Sequence, residues 1–269
     1  MESRELGRTK ERVPVIGMGT WAMGSGSAEK NKEELMALEK GIELGMDFID
    51  TAESYGAGRS ETLVGRAIRD VRDKVFLATK VSPEHFGYEN IMKSCQASLE
   101  RLDVKYIDLY QLHWPNPRIN IRETMKAMDD LVAQGKVRYI GVSNFSAEQT
   151  AEAQESLPRS ELVSNQVRYS PNSREIESEL IPFCQKEKVS IIAYSPLDTG
   201  DFRIDQIPEG LLRKYDLTPV QMILNWVVYK DGIVTIPKAG AVTHVEENSK
   251  SVDVKLSETD YQSLSKAFH

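Results

Sequence analysis

DFIDTAESYG, residues 47–56, begins as a buried strand and ends as a polar loop. Phe48 and Ile49 are core-forming residues. Asp50 is an acid at the strand's last position, and where the chain leaves the core it must find a partner or water. A phenol, Tyr55, follows five residues later. The run is one of a series: similar apolar or β-branched segments start at Val15 (VIGM), Val75 (VFLATK), Ile107 (IDLYQLH), Val137 (VRYIGVS), Leu162 (LVSNQV), Ser190 (SIIAYS) and Ile233 (IVTIP), eight in all. None alternates as a half-solvated strand would.

Helical faces lie between these runs. Ile91, Cys95, Leu99 and Leu102 line one; Ile121, Met125, Met128 and Val132 another; Ile176, Leu180 and Phe183 a third. Ser146 with Gln149, and Thr218 with Pro219 and Gln221, have the form of capping boxes at helix starts. Buried strands alternating with amphipathic helices predict an α/β fold, a single-domain (β/α)8 barrel of the TIM type over residues 1–269. An open doubly wound sheet is the alternative, but GMGTWAMG from Gly17 lacks the GxGxxG spacing expected after its first strand. Before the first strand, SRELGRTKERVP (residues 3–14) predicts a small hairpin closing the barrel's bottom. The interval from Ser190 to Ile233 is the longest, and its excess, residues 198–216, has no strong period. On a barrel's βα face such a segment is expected to act as a mobile lid.

Composition narrows the function. The 269 residues carry 34 basic and 41 acidic side chains, a net charge of −7, with the basic ones scattered, which argues against a nucleic-acid partner. No apolar run approaches the roughly 18 residues of a membrane span, and MESRELGRTKER lacks the apolar core of a signal peptide. A cytoplasmic protein with no membrane association is the expectation. Cys95 and Cys184 fall at apolar helix positions without a CxxC or metal-ligand pattern, so both are expected to be buried thiols.

In barrel enzymes the chemistry sits at the carboxyl ends of the strands. Those positions hold Asp50, Lys80, His113, Ser143 with Asn144, Gln166, Tyr194 and Lys238. Singly, each has an ordinary structural explanation; together they converge on one mouth. A tyrosine's reference pKa is near 10, and a cation about 4 Å away is worth about 4 kcal/mol at an effective dielectric of ~20, roughly three pKa units before desolvation opposes it. Lys80 can supply that cation, Asp50 can anchor it, and Tyr55 then serves as a general acid. His113 can direct the substrate oxygen. A nicotinamide hydride would complete a carbonyl reduction. A Schiff-base aldolase using Lys80 competes with this reading. A metal hydrolase is disfavoured, since His113 is the only histidine among these strand-end residues.

MDFIDTAESYGAGRSETLVGRAI from Met46, SLERLDVKYIDLYQLHWP from Ser98, GKVRYIGVSNFS from Gly135, NQVRYSP from Asn165, AYSPL from Ala193 and IPKAG from Ile236 resemble the aldo-keto reductase superfamily, a match running from about Gly17 to Asn248. The resemblance implies a barrel that binds NADPH across its mouth and reduces small carbonyl substrates, aldehydes, ketones, small sugars or hydroxyaldehydes, to alcohols. It implies a catalytic tetrad of Asp50, Tyr55, Lys80 and His113. Ser143, Asn144 and Gln166 would hold the carboxamide, Tyr194 would stack on the ring, and Ser195 to Leu197 with the following loop would cover the pyrophosphate. Thr20, Trp21 and Asp50 belong to the implied cofactor set, as do Lys238, His244, Glu247 and Asn248 near the adenosine. Trp21, Tyr55, His113 and Trp114 form the implied substrate set. Ala239 after Lys238, and His244 where the family usually places arginine, leave NADH open as a second cofactor. The short WPNPRIN segment and the short tail after residue 256 imply an open pocket. A nicotinamide-binding redox sensor with slow turnover is the alternative from a different functional class.

Overall fold

Strand β1 (Ser3–Glu5) pairs antiparallel with β2 (Arg12–Pro14), and the hairpin they form leads into a second, parallel sheet. The computed structural model describes residues 1–201 and 204–268. In it the parallel strands β3 (Met18–Gly19), β4 (Phe48–Asp50), β5 (Phe76–Val81), β6 (Ile107–Leu112), β7 (Val137–Ser143), β8 (Leu162–Arg168), β9 (Ser190–Tyr194) and β10 (Ile233–Thr235) lie side by side in chain order. Parallel bridges from Ile16 to Thr235 and from Gly19 to Lys238 join the last strand to the first segment. The eight expected strands are thus present in a (β/α)8 barrel, β3 being shorter than the VIGM run that announced it.

Helices connect the strands and cover the outside: α1 (Ala28–Glu43), α2 (Arg59–Ile68), α3 (Tyr88–Leu102), α4 (Ile121–Ala133), α5 (Ala147–Glu155), α6 (Leu180–Glu187), α7 (Glu209–Tyr215), α8 (Pro219–Val227), α9 (Val242–Ser249) and α10 (Glu258–Ala267). Both expected capping boxes form, with Ser146 and Gln149 opening α5 and Thr218 and Gln221 opening α8. Among the described residues no helix is long and apolar enough to cross a membrane. Cys95 and Cys184 are free and buried, and burial pushes both thiols up to about 12.

The core has two layers. A large one fills the space between strands and helices, and a smaller one fills the barrel's interior with Phe48, Phe76, Leu109, Val163, Ile192 and Val234. Leu6 and Val13 of the hairpin segment belong to that interior layer, so the hairpin closes the bottom of the barrel. The fit there is tight. Gly7 has φ +57°, its N–H donates to Ser190 Oγ at 2.7 Å, and a Cβ on it would meet the Val163 carbonyl oxygen at 2.5 Å. Gly7→Ala should therefore cost stability through both backbone strain and overlap, about 1–3 kcal/mol in denaturant unfolding. An unchanged midpoint would show that the plug is loosely seated.

Residues 198–216 differ from expectation. They hold a 3₁₀ turn at Asp198–Gly200, another at Ile204–Gln206 and the helix α7, with Ile207 and Leu211 packed into the core. Seven residues of helix are too few to print a period in the sequence. Of the segment's described residues, only Thr199 and Gly200 border the cleft at the barrel's mouth. Positions 202 and 203 of the expected lid lie outside the described residues.

Candidate active site

Side chains of a strand alternate between faces, so an inward residue is followed two positions later by another. Phe48 fills the interior, which puts Asp50 inward near the top of β4. Phe76 and Ala78 lead to Lys80, Leu109 to Gln111 and His113, Ile192 to Tyr194, and Val234 and Ile236 to Lys238. The alternation that makes an apolar plug at the bottom delivers polar groups to the top.

The centre of this polar layer is an ion pair. Lys80 is 0% exposed and Asp50 1%. Lys80 Nζ donates to Asp50 Oδ1 at 2.5 Å, to the Thr51 carbonyl at 2.9 Å and to Tyr55 Oη at 3.3 Å. An ammonium has three N–H donors, and these three acceptors use all of them. Gln111 and Gln166 donate their Nε2 groups to Asp50 Oδ2 at 3.0 and 2.8 Å, so both carboxylate oxygens are engaged. Burial alone would pull Lys80 down, but the charge of Asp50 and the contact with Tyr55 hold it above the ordinary lysine value.

Tyr55 sits on a turn whose next three residues, Gly56, Ala57 and Gly58, all have positive φ before α2 begins. Burial raises its phenol above the usual value, opposed by the charge of Lys80. The lowering by Lys80 that was expected before desolvation is present, but desolvation exceeds it, and the group rests as a neutral phenol. His113 lies edge-on to Tyr55, with ring centroids 5.6 Å apart at 72°. Burial, helped by the nearby charge of Lys80, brings its imidazole down to about 3, so it is neutral at physiological pH.

Ser143, Asn144, Gln166 and Tyr194 border the same cleft, which has a volume of about 1130 Å³. Asn144, at φ +63°, donates to the His113 carbonyl at 3.1 Å and accepts from Tyr194 Oη at 3.0 Å. Thr20 is buried against the Asp50 carbonyl, which its Oγ1 meets at 3.0 Å, while Trp21 (61% exposed) and Trp114 (50%) flank the opening. Ser195 and Leu197 line the same cleft, as do Lys238, His244, Glu247 and Asn248. Lys238 and His244 are exposed. Glu247 accepts from Thr218 Oγ1 at 2.7 Å, and Asn248 is buried. Every residue expected at the site therefore borders this cleft or, in the case of Lys80, lies directly beneath it.

Sequence reasoning missed three contributors. Gln111 looks like strand filling in IDLYQLH, although its place two residues before His113 puts it on the inward face. Ser54 borders the cleft beside Tyr55. Asp198, buried just after β9, accepts from Arg168 at 3.0 Å and from Ser170 at 2.7 Å, tying the cleft-lining segment to the end of β8.

Residues 15–268 match the family model described as the Aldo/keto reductase family. The chain is 39% identical over 261 residues to methylglyoxal reductase YeaE of Escherichia coli (strain K12), covering 95% of this chain and 91% of that protein. It is 31% identical over 255 residues to glyoxal reductase of Bacillus subtilis (strain 168), covering 94% and 88%. The structure of a thermostable aldo-keto reductase, Tm1743, with the inhibitor epalrestat superposes with a TM-score of 0.95 at 39% identity, covering 99% of this chain and 100% of that one. An aldo-keto reductase from Klebsiella pneumoniae in complex with NADPH gives 0.89 at 38% identity, covering 100% and 96%. The chain belongs to the aldo/keto reductase family.

Proposed function

We propose that this protein reduces small neutral aldehydes and ketones with NADPH, and that 2-oxoaldehydes such as methylglyoxal are among its substrates. One observation carries the reading: Tyr55 Oη accepts a hydrogen bond from Lys80, which leaves the phenol's own proton free to be donated into the cleft. When bound, the nicotinamide supplies a hydride. Tyr55 gives its proton to the carbonyl oxygen. Lys80 stabilises the phenolate left behind, and Asp50, held by Gln111 and Gln166, keeps Lys80 charged. His113 donates to the same carbonyl oxygen and fixes its direction. Ser143, Asn144 and Gln166 supply amide and hydroxyl groups for a carboxamide, and Tyr194 a ring face to stack on it.

The cleft also carries groups suited to a dinucleotide's phosphates. Lys238 and His244, which line it, have no ion-pair partner among the described residues, as suits groups that meet a phosphate. Around Tyr55 the opening is lined by Trp21, Ala22, Ser25, Ser54, Gly56 and Trp114, none of them charged, which disfavours substrates bearing carboxylate or phosphate. Relatives named for methylglyoxal and glyoxal reduction agree with a small neutral carbonyl. The test is NADPH consumption, followed by absorbance, across a panel of aldehydes, ketones and sugars. Failure of every neutral carbonyl would end the reading. Oxidation of one bound equivalent without sustained turnover would favour a redox sensor.

The cofactor rim offers a test of its own. His244 lines the cleft with Lys238, and a guanidinium in its place can bind a phosphate with two donors. His244→Arg should therefore raise the affinity ratio of NADPH to NADH severalfold, read by fluorescence titration of both cofactors in both proteins. An unchanged ratio would place His244 out of the phosphate's reach.

A further inference from the structure

We propose that Ser54 is a positioning residue for His113: its hydroxyl donates to Nδ1 and so leaves the imidazole proton on Nε2, where it can be donated to the substrate oxygen. The proposal rests on the carbonyl-reductase reading for its consequence, and on local geometry for its substance. Ser54 Oγ lies 3.4 Å from His113 Nδ1, and among the described residues no other side chain bonds either ring nitrogen. The ring is otherwise fixed. His113 N–H donates to the Val81 carbonyl at 3.1 Å, its own carbonyl accepts from Asn144 at 3.1 Å, and Tyr55 lies edge-on to the imidazole.

A neutral imidazole carries one proton on two nitrogens, and the partner of one nitrogen decides the role of the other. With the proton on Nδ1, Nε2 would present a lone pair to a carbonyl oxygen and repel it. With the proton on Nε2, the same atom attracts that oxygen and the charge that grows on it. Burial and the charge of Lys80 keep the ring neutral, so the choice cannot be bypassed by protonating both nitrogens. The serine hydroxyl has no other partner among the described residues and can turn its proton toward Nδ1. The distance is at the long end for a hydrogen bond, as is common in catalytic pairs before substrate arrives. Ser54 immediately precedes Tyr55, so one turn places the proton donor and the group that sets the imidazole's tautomer.

The test is nitrogen NMR of histidine-labelled protein saturated with NADP⁺. The chain has four histidines, and the His113 signals are identified by their loss in His113→Gln. Wild type and Ser54→Thr should show the Nε2-protonated pattern, and Ser54→Ala and Ser54→Gly a shift toward Nδ1 protonation. The turnover of Ser54→Ala should fall roughly three- to tenfold, the effect of one lost hydrogen bond, with NADPH affinity unchanged and activity restored in Ser54→Thr. An Nδ1-protonated wild type, or a Ser54→Ala spectrum identical to wild type, overturns the proposal whatever the activity. A tautomer shift in a protein that reduces no carbonyl would leave Ser54 in this role and overturn the reductase reading instead.

Discussion

Tyr55→Phe is expected to abolish carbonyl reduction while leaving NADPH affinity nearly unchanged. On the proposed mechanism the lost hydroxyl acts on the substrate oxygen, and among the described residues it is the only phenol that Lys80 meets, at 3.3 Å. Without it the developing alkoxide has no proton donor except water or the neutral imidazole of His113. The loss should reach at least the roughly 10² to 10⁴ of a general acid. Since burial already holds the wild-type phenol protonated, the deficit should not be recovered by lowering the pH. Retention of more than about a tenth of wild-type turnover, with hydride transfer shown to be rate-limiting by a deuterium isotope effect, would remove Tyr55 from the role.

Lys80→Met should produce two separable losses. Turnover should fall sharply, and the apparent pKa of the acid in the pH profile should rise, because the cation that opposes burial at Tyr55 is gone. Stability should fall as well, since Asp50 would remain almost wholly buried with only Gln111 and Gln166 as partners. Breaking one side of a buried pair typically costs about 3–5 kcal/mol. The double variant Lys80→Met with Asp50→Asn should regain most of that stability, because no buried charge is left alone, but none of the turnover. If the double variant is as unstable as the single one, the packing of the lysine stem rather than the ion pair holds this layer together. If Lys80→Met removes only a borohydride-trappable adduct, Lys80 is a Schiff-base nucleophile instead.

Much of this was legible in the chain because the barrel writes its plan in a short period. Phe48 and Asp50, or Ile192 and Tyr194, are one strand step apart on the same face, so a run that buries its bottom residue also aims its top one. What depended on distant neighbours was not legible. The acceptors of Gln111 and Gln166 lie on another strand, and although IDLYQLH aims Gln111 at the barrel's interior, nothing in it says that the amide meets Asp50. Asp198 finds Arg168 and Ser170 only after the barrel closes. The phenol of Tyr55 shows a different limit: its distance to a cation could be guessed from the strand ends, but the desolvation that outweighs that cation depends on the whole surrounding shell. Helix α7 escaped because Leu211 and Leu212 are too few apolar positions to fix an angle.

The two thiols have a bearing on how long such a protein lasts among reactive carbonyls. Aldehydes and dicarbonyls are electrophiles that consume accessible thiolates, and oxidants do the same. Cys95 and Cys184 are shut between strands and helices, with thiols near 12, so the reactive fraction at neutral pH is on the order of 10⁻⁵ before access is considered. Wear of that kind requires the barrel to open first. Chemical lifetime then becomes a matter of unfolding rate rather than of exposure.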